Sequence, residues 1–140
     1  MGATTVLMAS GLDLPKNVKG IIADCPFASP EAIIKKTTKA MGFPPKLAFP
    51  FLMLGARLFG GFNLRGASAG EAVKNAKVPI LLVHGDTDSN VPLSHSEEIY
   101  KSNPKQIVFE VFPGAGHAMS YVLDNERYLK IVDEFFSRAV

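Results

Sequence analysis

The sequence predicts an α/β fold: about three parallel strands with flanking helices and a helical cap segment. Three observations carry this. Pro79–His84 and Ile107–Phe112 are short apolar runs bounded by turn-forming residues, the pattern of buried strands. Helical periodicity fills the stretch between them and the stretch after them. A third run, Val18–Cys25, stops at Pro26 and adds a strand earlier in the chain. Strands that alternate with helices of this length form βαβ units, which give a parallel sheet.

In chain order, Gly2–Ser10 is small and apolar with no polar face. It reads as a buried helix or a strand, with Gly11 as a stop. After the Val18–Cys25 strand, Ser29-Pro30-Glu31 puts a capping hydroxyl before a proline at the first helical position, opening a helix to about Ala40. Met41–Phe62 differs in character. Pro44, Pro45 and Pro50 punctuate it and five phenylalanines load it with aromatic surface, so it is expected to form short helices of a lid. Ser68-Ala69-Gly70-Glu71 fits a capping box ahead of a helix to about Ala76. A helix is expected over Leu93–Lys101. Another closes the chain over Tyr121–Arg138, with Tyr128, Leu129, Val132, Phe135 and Phe136 at helical spacing. The chain thus reads as a single segment, 1–140, with 41–66 as a cap insertion.

Composition narrows the function classes. A formal net charge of +2 with scattered lysines does not suit nucleic acid. Cys25 is the single cysteine, so no intrachain disulfide forms and a reducing compartment is allowed. The most apolar stretch, Leu47–Phe59, is interrupted by Pro50, Gly55 and Arg57 and falls short of the roughly 20 residues a bilayer span needs. No secretory signal opens the chain. A cytoplasmic protein without a membrane partner is the expectation. No histidines or carboxylates show metal-ligand spacing, and nothing calls for a cofactor.

The chemistry is concentrated in two loops. His84-Gly85-Asp86-Thr87-Asp88-Ser89-Asn90-Val91-Pro92 and Pro113-Gly114-Ala115-Gly116-His117 each follow the C-terminal end of an expected strand, where active sites of open parallel sheets gather. An Asp on one such loop can meet a His on the next. The carboxylate then fixes the imidazole's tautomer and stabilises its protonated form. The two glycines before His117 allow the tight turn this needs. Either motif alone would read as turn chemistry beside a solvated histidine. Both, in order and at consecutive strand ends, make Asp88 and His117 the candidate catalytic pair. Asp86 is expected to shape the turn, and His84 and His95 to be structural or solvated.

The strand-HGDxDxxVP segment, the strand-PGAGH segment and the closing helix together resemble the last third of the α/β-hydrolase superfamily. The resemblance is to its esterase, thioesterase and serine-aminopeptidase-like branch. It implies a partial α/β-hydrolase fold in which Asp88 is the triad acid and His117 the base. It also implies a parent enzyme that hydrolyses ester, thioester or amide bonds of a small acyl-type substrate.

That family's nucleophile sits in G-x-S-x-G on a strand-to-helix turn. Met1-Gly2-Ala3 looks like the end of that motif, which would put the serine immediately before Met1. The resemblance then makes Met1 an oxyanion-hole remnant and the chain inactive alone. A literal Gly66-Ala67-Ser68-Ala69-Gly70 is also present, but Phe62-Asn63-Leu64-Arg65 before it is no strand. An enzyme using Ser68 is therefore the lesser alternative. Cys25 is expected to be a core thiol. Phe43, Phe49, Phe51 and Phe59 are candidate acyl-pocket lining, with plain core packing as the competing reading. Without the strand that the family pairs with 18–25, that edge is open. Self-association, or work as a non-catalytic half-domain through the same edge, is the further expectation.

Overall fold

The computed structural model describes residues 1–139. They form two compact units, Met1–Ala28 with Ala69 onward, and Ser29–Ser68.

The first unit holds the sheet. Strands β1 (Ile21–Asp24), β2 (Ile80–Gly85) and β3 (Ile107–Phe112) lie in the order β1-β2-β3, all parallel, with Ile80 paired to both Ile21 and Ile107. The expected three-stranded parallel sheet is therefore present. Every position of β2 is buried. Successive side chains point to opposite faces, so Ile80 and Leu82 enter one core and Leu81 and Val83 the other. This explains why the run is apolar throughout rather than alternating. Full burial of each of these side chains is worth about 1.5–3 kcal/mol.

On the first face, Leu7, Val73 and Ile99 come from helices α1 (Gly2–Ala9), α4 (Ala69–Val73) and α5 (Ser94–Ser102). On the second, Phe135 of α7 (Asn125–Ala139) packs with Phe112, with Tyr128, Ile131 and Val132 around them. Helix α1 settles the ambiguity over Gly2–Ser10. It buries one stripe, Thr4 and Leu7, and leaves Val6 exposed, so it is not wrapped by core on all sides.

The closing helix departs from expectation. A short α6 (Ser120–Leu123) ends at Asp124, whose backbone leaves the helical region at φ −147°. The Asp124 carboxylate accepts the Arg127 N–H at 3.0 Å, an N-cap bond that starts α7 afresh.

The second unit contains α2 (Pro30–Ala40) and α3 (Pro45–Phe59), followed by a 3₁₀ turn at Leu64–Gly66. Ser29 caps α2 by accepting the Ala32 N–H, as its sequence suggests. Helix α3 corrects the expectation of several short helices: it runs unbroken through Pro50. A proline in the second turn removes one backbone donor, and the Leu, Met, Ala and Arg residues around it are strong helix formers. Among the described residues no helix is long and apolar enough to cross a membrane.

Candidate active site

Because the three strands are parallel, their C-terminal ends lie along one edge of the sheet. Cys25 follows β1, the Asp86–Asp88 turn follows β2 and the Pro113–His117 loop follows β3. Backbone and side-chain bonds brace the last two loops together. Asp86 Oδ1 accepts the Gly114 N–H at 2.6 Å, and both the N–H and the hydroxyl of Thr87 donate to the Ala115 carbonyl. Gly85 is required here. A Cβ at this position would lie 2.2 Å from the Ala115 carbonyl oxygen, so only glycine lets the loops approach.

On this scaffold Asp88 and His117 meet. His117 Nδ1 donates to Asp88 Oδ2 at 2.7 Å, while Asp88 Oδ1 accepts the N–H groups of Asn90 and Val91, each at 2.9 Å. Burial alone pushes the Asp88 carboxyl up. The Val91 amide, His117 and the Cys25 thiol together outweigh it and hold the group below the ordinary carboxylate value, so Asp88 is ionised. An ionised acceptor at Nδ1 fixes the tautomer of His117 and leaves Nε2 with its lone pair free. The imidazole is 37% exposed and within reach of a substrate, whereas the Asp88 side chain is fully enclosed. A buried acid that orients a reachable imidazole is a unit able to take a proton from a hydroxyl and later return it.

His84 supports the acid from behind. It is fully buried; its Nε2 donates to the Val91 carbonyl at 2.9 Å and its Nδ1 accepts from the Ser96 hydroxyl at 2.6 Å. The Val91 carbonyl can only accept, so Nε2 carries a proton, and it also faces Asp88 Oδ2 at 3.4 Å. His84 is thus structural. His95 accepts the Ala28 N–H at 3.3 Å.

Comparison with known proteins agrees with this geometry. The model of the prolyl oligopeptidase family matches residues 1–140. The chain belongs to that family. An uncharacterised Bacillus subtilis protein, YqkD, is 29% identical over 136 residues, covering 96% of this chain and 45% of its own length. The Pyrococcus furiosus esterase superposes with a TM-score of 0.66 at 21% identity, over 97% of this chain and 50% of that one. A Mycobacterium tuberculosis puromycin-hydrolysing peptidase gives 0.71 at 17% identity, over 99% of this chain and 20% of that one. These structures share the α/β-hydrolase fold. The chain spans about half the length of the first two relatives.

In this member of the prolyl oligopeptidase family, the remaining sequence candidates lie as follows. Ser68 immediately precedes α4 and is preceded by the 3₁₀ turn rather than a strand, so the strand-turn-helix context of an elbow is not formed there. Met1 is 92% exposed, and its carbonyl accepts the Thr5 N–H as the first turn of α1. Helix α1 is tied to the loop after β1 by Thr4, whose hydroxyl donates to the Phe27 carbonyl and accepts the Phe27 N–H. Within the second unit Phe49 is buried, with the Lys35 ammonium 5.2 Å from its ring centre, while Phe43, Phe51 and Phe59 are exposed.

Two residues that the sequence reading had not assigned to the site join it. Cys25, expected only as a core thiol, offers its sulfur within 4.8 Å of the Asp88 and His117 ligand atoms. Burial pushes this thiol up to about 12, against the amides of Ala118 and Gly85 that point at the sulfur, so it stays a protonated thiol. That state disfavours a metal-ligating thiolate. Asp24, at the end of β1, is raised chiefly by burial, and its Oδ1 has no hydrogen-bond partner.

Proposed function

We propose that this chain supplies the acid and base of a serine hydrolase acting on ester, thioester or amide bonds. Asp88 orients His117, which deprotonates the nucleophile and then protonates the leaving group. The observation that carries this reading is the 2.7 Å bond from His117 Nδ1 to Asp88 Oδ2 at the C-terminal edge of a parallel sheet, with Nε2 left free. The esterase and the peptidase among the similar structures support keeping both ester and amide substrates within the class. In this reading the nucleophilic serine immediately precedes Met1, α1 is the helix that follows the elbow, and the Met1 amide is one oxyanion donor.

A fluorophosphonate probe tests the proposal. The chain by itself is expected to remain unlabelled. Joined to the part of YqkD that it does not match, it is expected to label, and His117→Ala should abolish that labelling. Labelling of the chain alone that Ser68→Ala removes would overturn the assignment of the nucleophile. Persistent labelling of the joined His117→Ala chain would overturn the role of His117.

A second reading rests on β1, which pairs only with β2 among the described residues. Its outer edge is a template for another chain, so a half-domain that self-associates through 18–25 would form dimers or larger species in light scattering. A monodisperse monomer would dismiss it.

A further inference from the structure

We propose that Cys25 is a positioning residue for the His117 base. Its sulfur accepts the Ala118 N–H at 3.3 Å and thereby holds the left-handed turn that immediately follows the histidine. This role rests on the hydrolase reading and deepens it.

The backbone supplies an independent argument. Among the described residues, Cys25 at φ 51° and Ala118 at φ 55° are the two non-glycine residues in the left-handed region. A residue with a Cβ adopts that conformation only where its surroundings over-determine it. The N–H···S bond joins these two residues to each other, and it crosses between the end of β1 and the loop after β3. Each strained position is therefore held by the other. The strain falls one residue after His117 and one after Asp24. The same sulfur lies within 4.8 Å of the Asp88 carboxylate, so a single atom joins the base loop, the acid and the end of β1.

The sulfur must act as an acceptor, because an amide N–H is the donor it meets. A hydroxyl can replace it in kind, whereas a methyl group cannot. Cys25→Ser keeps an acceptor and Cys25→Ala removes it, and neither adds branching at the left-handed Cys25 backbone. Ala118→Gly removes the strain that the bond has to hold, since glycine takes positive φ without penalty.

The experiment follows the low-field ¹H resonance of His117 Nδ1–H, bonded to Asp88, in the full chain at low temperature. Asp88→Asn serves as the control that assigns it. Exchange of this proton with water is expected to be roughly fivefold faster in Cys25→Ala, the worth of about one neutral hydrogen bond. It should remain near wild type in Cys25→Ser, and Ala118→Gly should restore most of the loss in the Cys25→Ala background. Wild-type exchange in Cys25→Ala, or equal acceleration in Cys25→Ser, would overturn the proposal, as would no rescue by Ala118→Gly. If Cys25→Ala does not fold, recovery of the folded chain by Ala118→Gly gives the same decision. Because the readout is taken on the chain without turnover, failure of fluorophosphonate labelling in the joined protein would sink the hydrolase reading while leaving this result to stand or fall separately.

Discussion

The sheet-edge loops and helix α3 are built on opposite terms. At the sheet edge, polar atoms are paired across elements: Asp88 with His117, Asn90 and Val91, Asp86 with Gly114, and Thr87 with Ala115. One glycine there has no room for a single added carbon. Helix α3 buries Phe49 but leaves Leu47, Phe51, Leu54, Leu58 and Phe59 all more than half exposed. Chemistry that depends on tenths of an ångström sits where geometry is over-determined. A surface that has only to be apolar tolerates variation.

The sharpest way to test that contrast is to compare His117→Ala with Phe59→Ala in the chain joined to the part of YqkD that it does not match. Loss of the base is expected to reduce kcat on the order of a million-fold, because triad members act as a unit. Loss of the exposed phenyl should leave kcat unchanged. Steady-state kinetics on a p-nitrophenyl ester reads both. Comparable losses in kcat would erase the distinction between the two regions.

Two glycines extend the comparison to stability. Gly85→Ala drives a methyl into the Ala115 carbonyl at 2.2 Å, and backbone cannot step aside as a flexible side chain would. It is expected to cost about 1–3 kcal/mol in urea denaturation. Gly55 lies inside α3 with nothing within 4 Å of an added Cβ. Gly55→Ala should stabilise by up to about 1 kcal/mol, the helix-propensity difference between the two residues. Shifts of the same sign in both variants would mean that the two regions are not packed as described.

Much of this was legible in the sequence, for reasons that also explain the rest. The apolar run at 80–85 could be read because burial on both faces of a parallel sheet leaves no polar alternation. Asp88 and His117 could be paired because parallel order alone brings consecutive strand-end loops together. Cys25 could not, since its approach to His117 depends on the register of β1 and on two positive φ angles that no local pattern announces. The unbroken α3 was hidden because Pro50 is a strong local breaker, and the propensity summed over the surrounding turns outweighs it. The break at Asp124 left a usable signal: an Asp three residues before the Arg127 amide it caps. The apolar periodicity through 121–138 masked it.

The smallest expected effect separates two carboxylates within the sheet-edge cluster itself. Folding lowers Asp88 from its ordinary value of 3.8, so the folded chain holds that proton less tightly than the unfolded one. Its stabilisation is present above about pH 4 and is lost as pH falls through the lowered folded value. Asp24 is raised by burial, so the folded chain keeps its proton longer. Stability then declines as pH rises from about 3.8 through the raised value, and it stays lower beyond. Urea melts between about pH 3 and pH 7 should therefore show opposite slopes when each residue is removed. Relative to wild type, Asp24→Asn gains stability as pH rises, while Asp88→Asn loses it. The Asp24 slope is the more telling of the two, because one oxygen of that carboxylate is buried without a partner and burial is the largest cause of its shift. A flat Asp24→Asn difference across that range would mean that the end of β1 is better solvated than its burial implies. The dyad would then sit in a wetter pocket than the rest of its geometry requires.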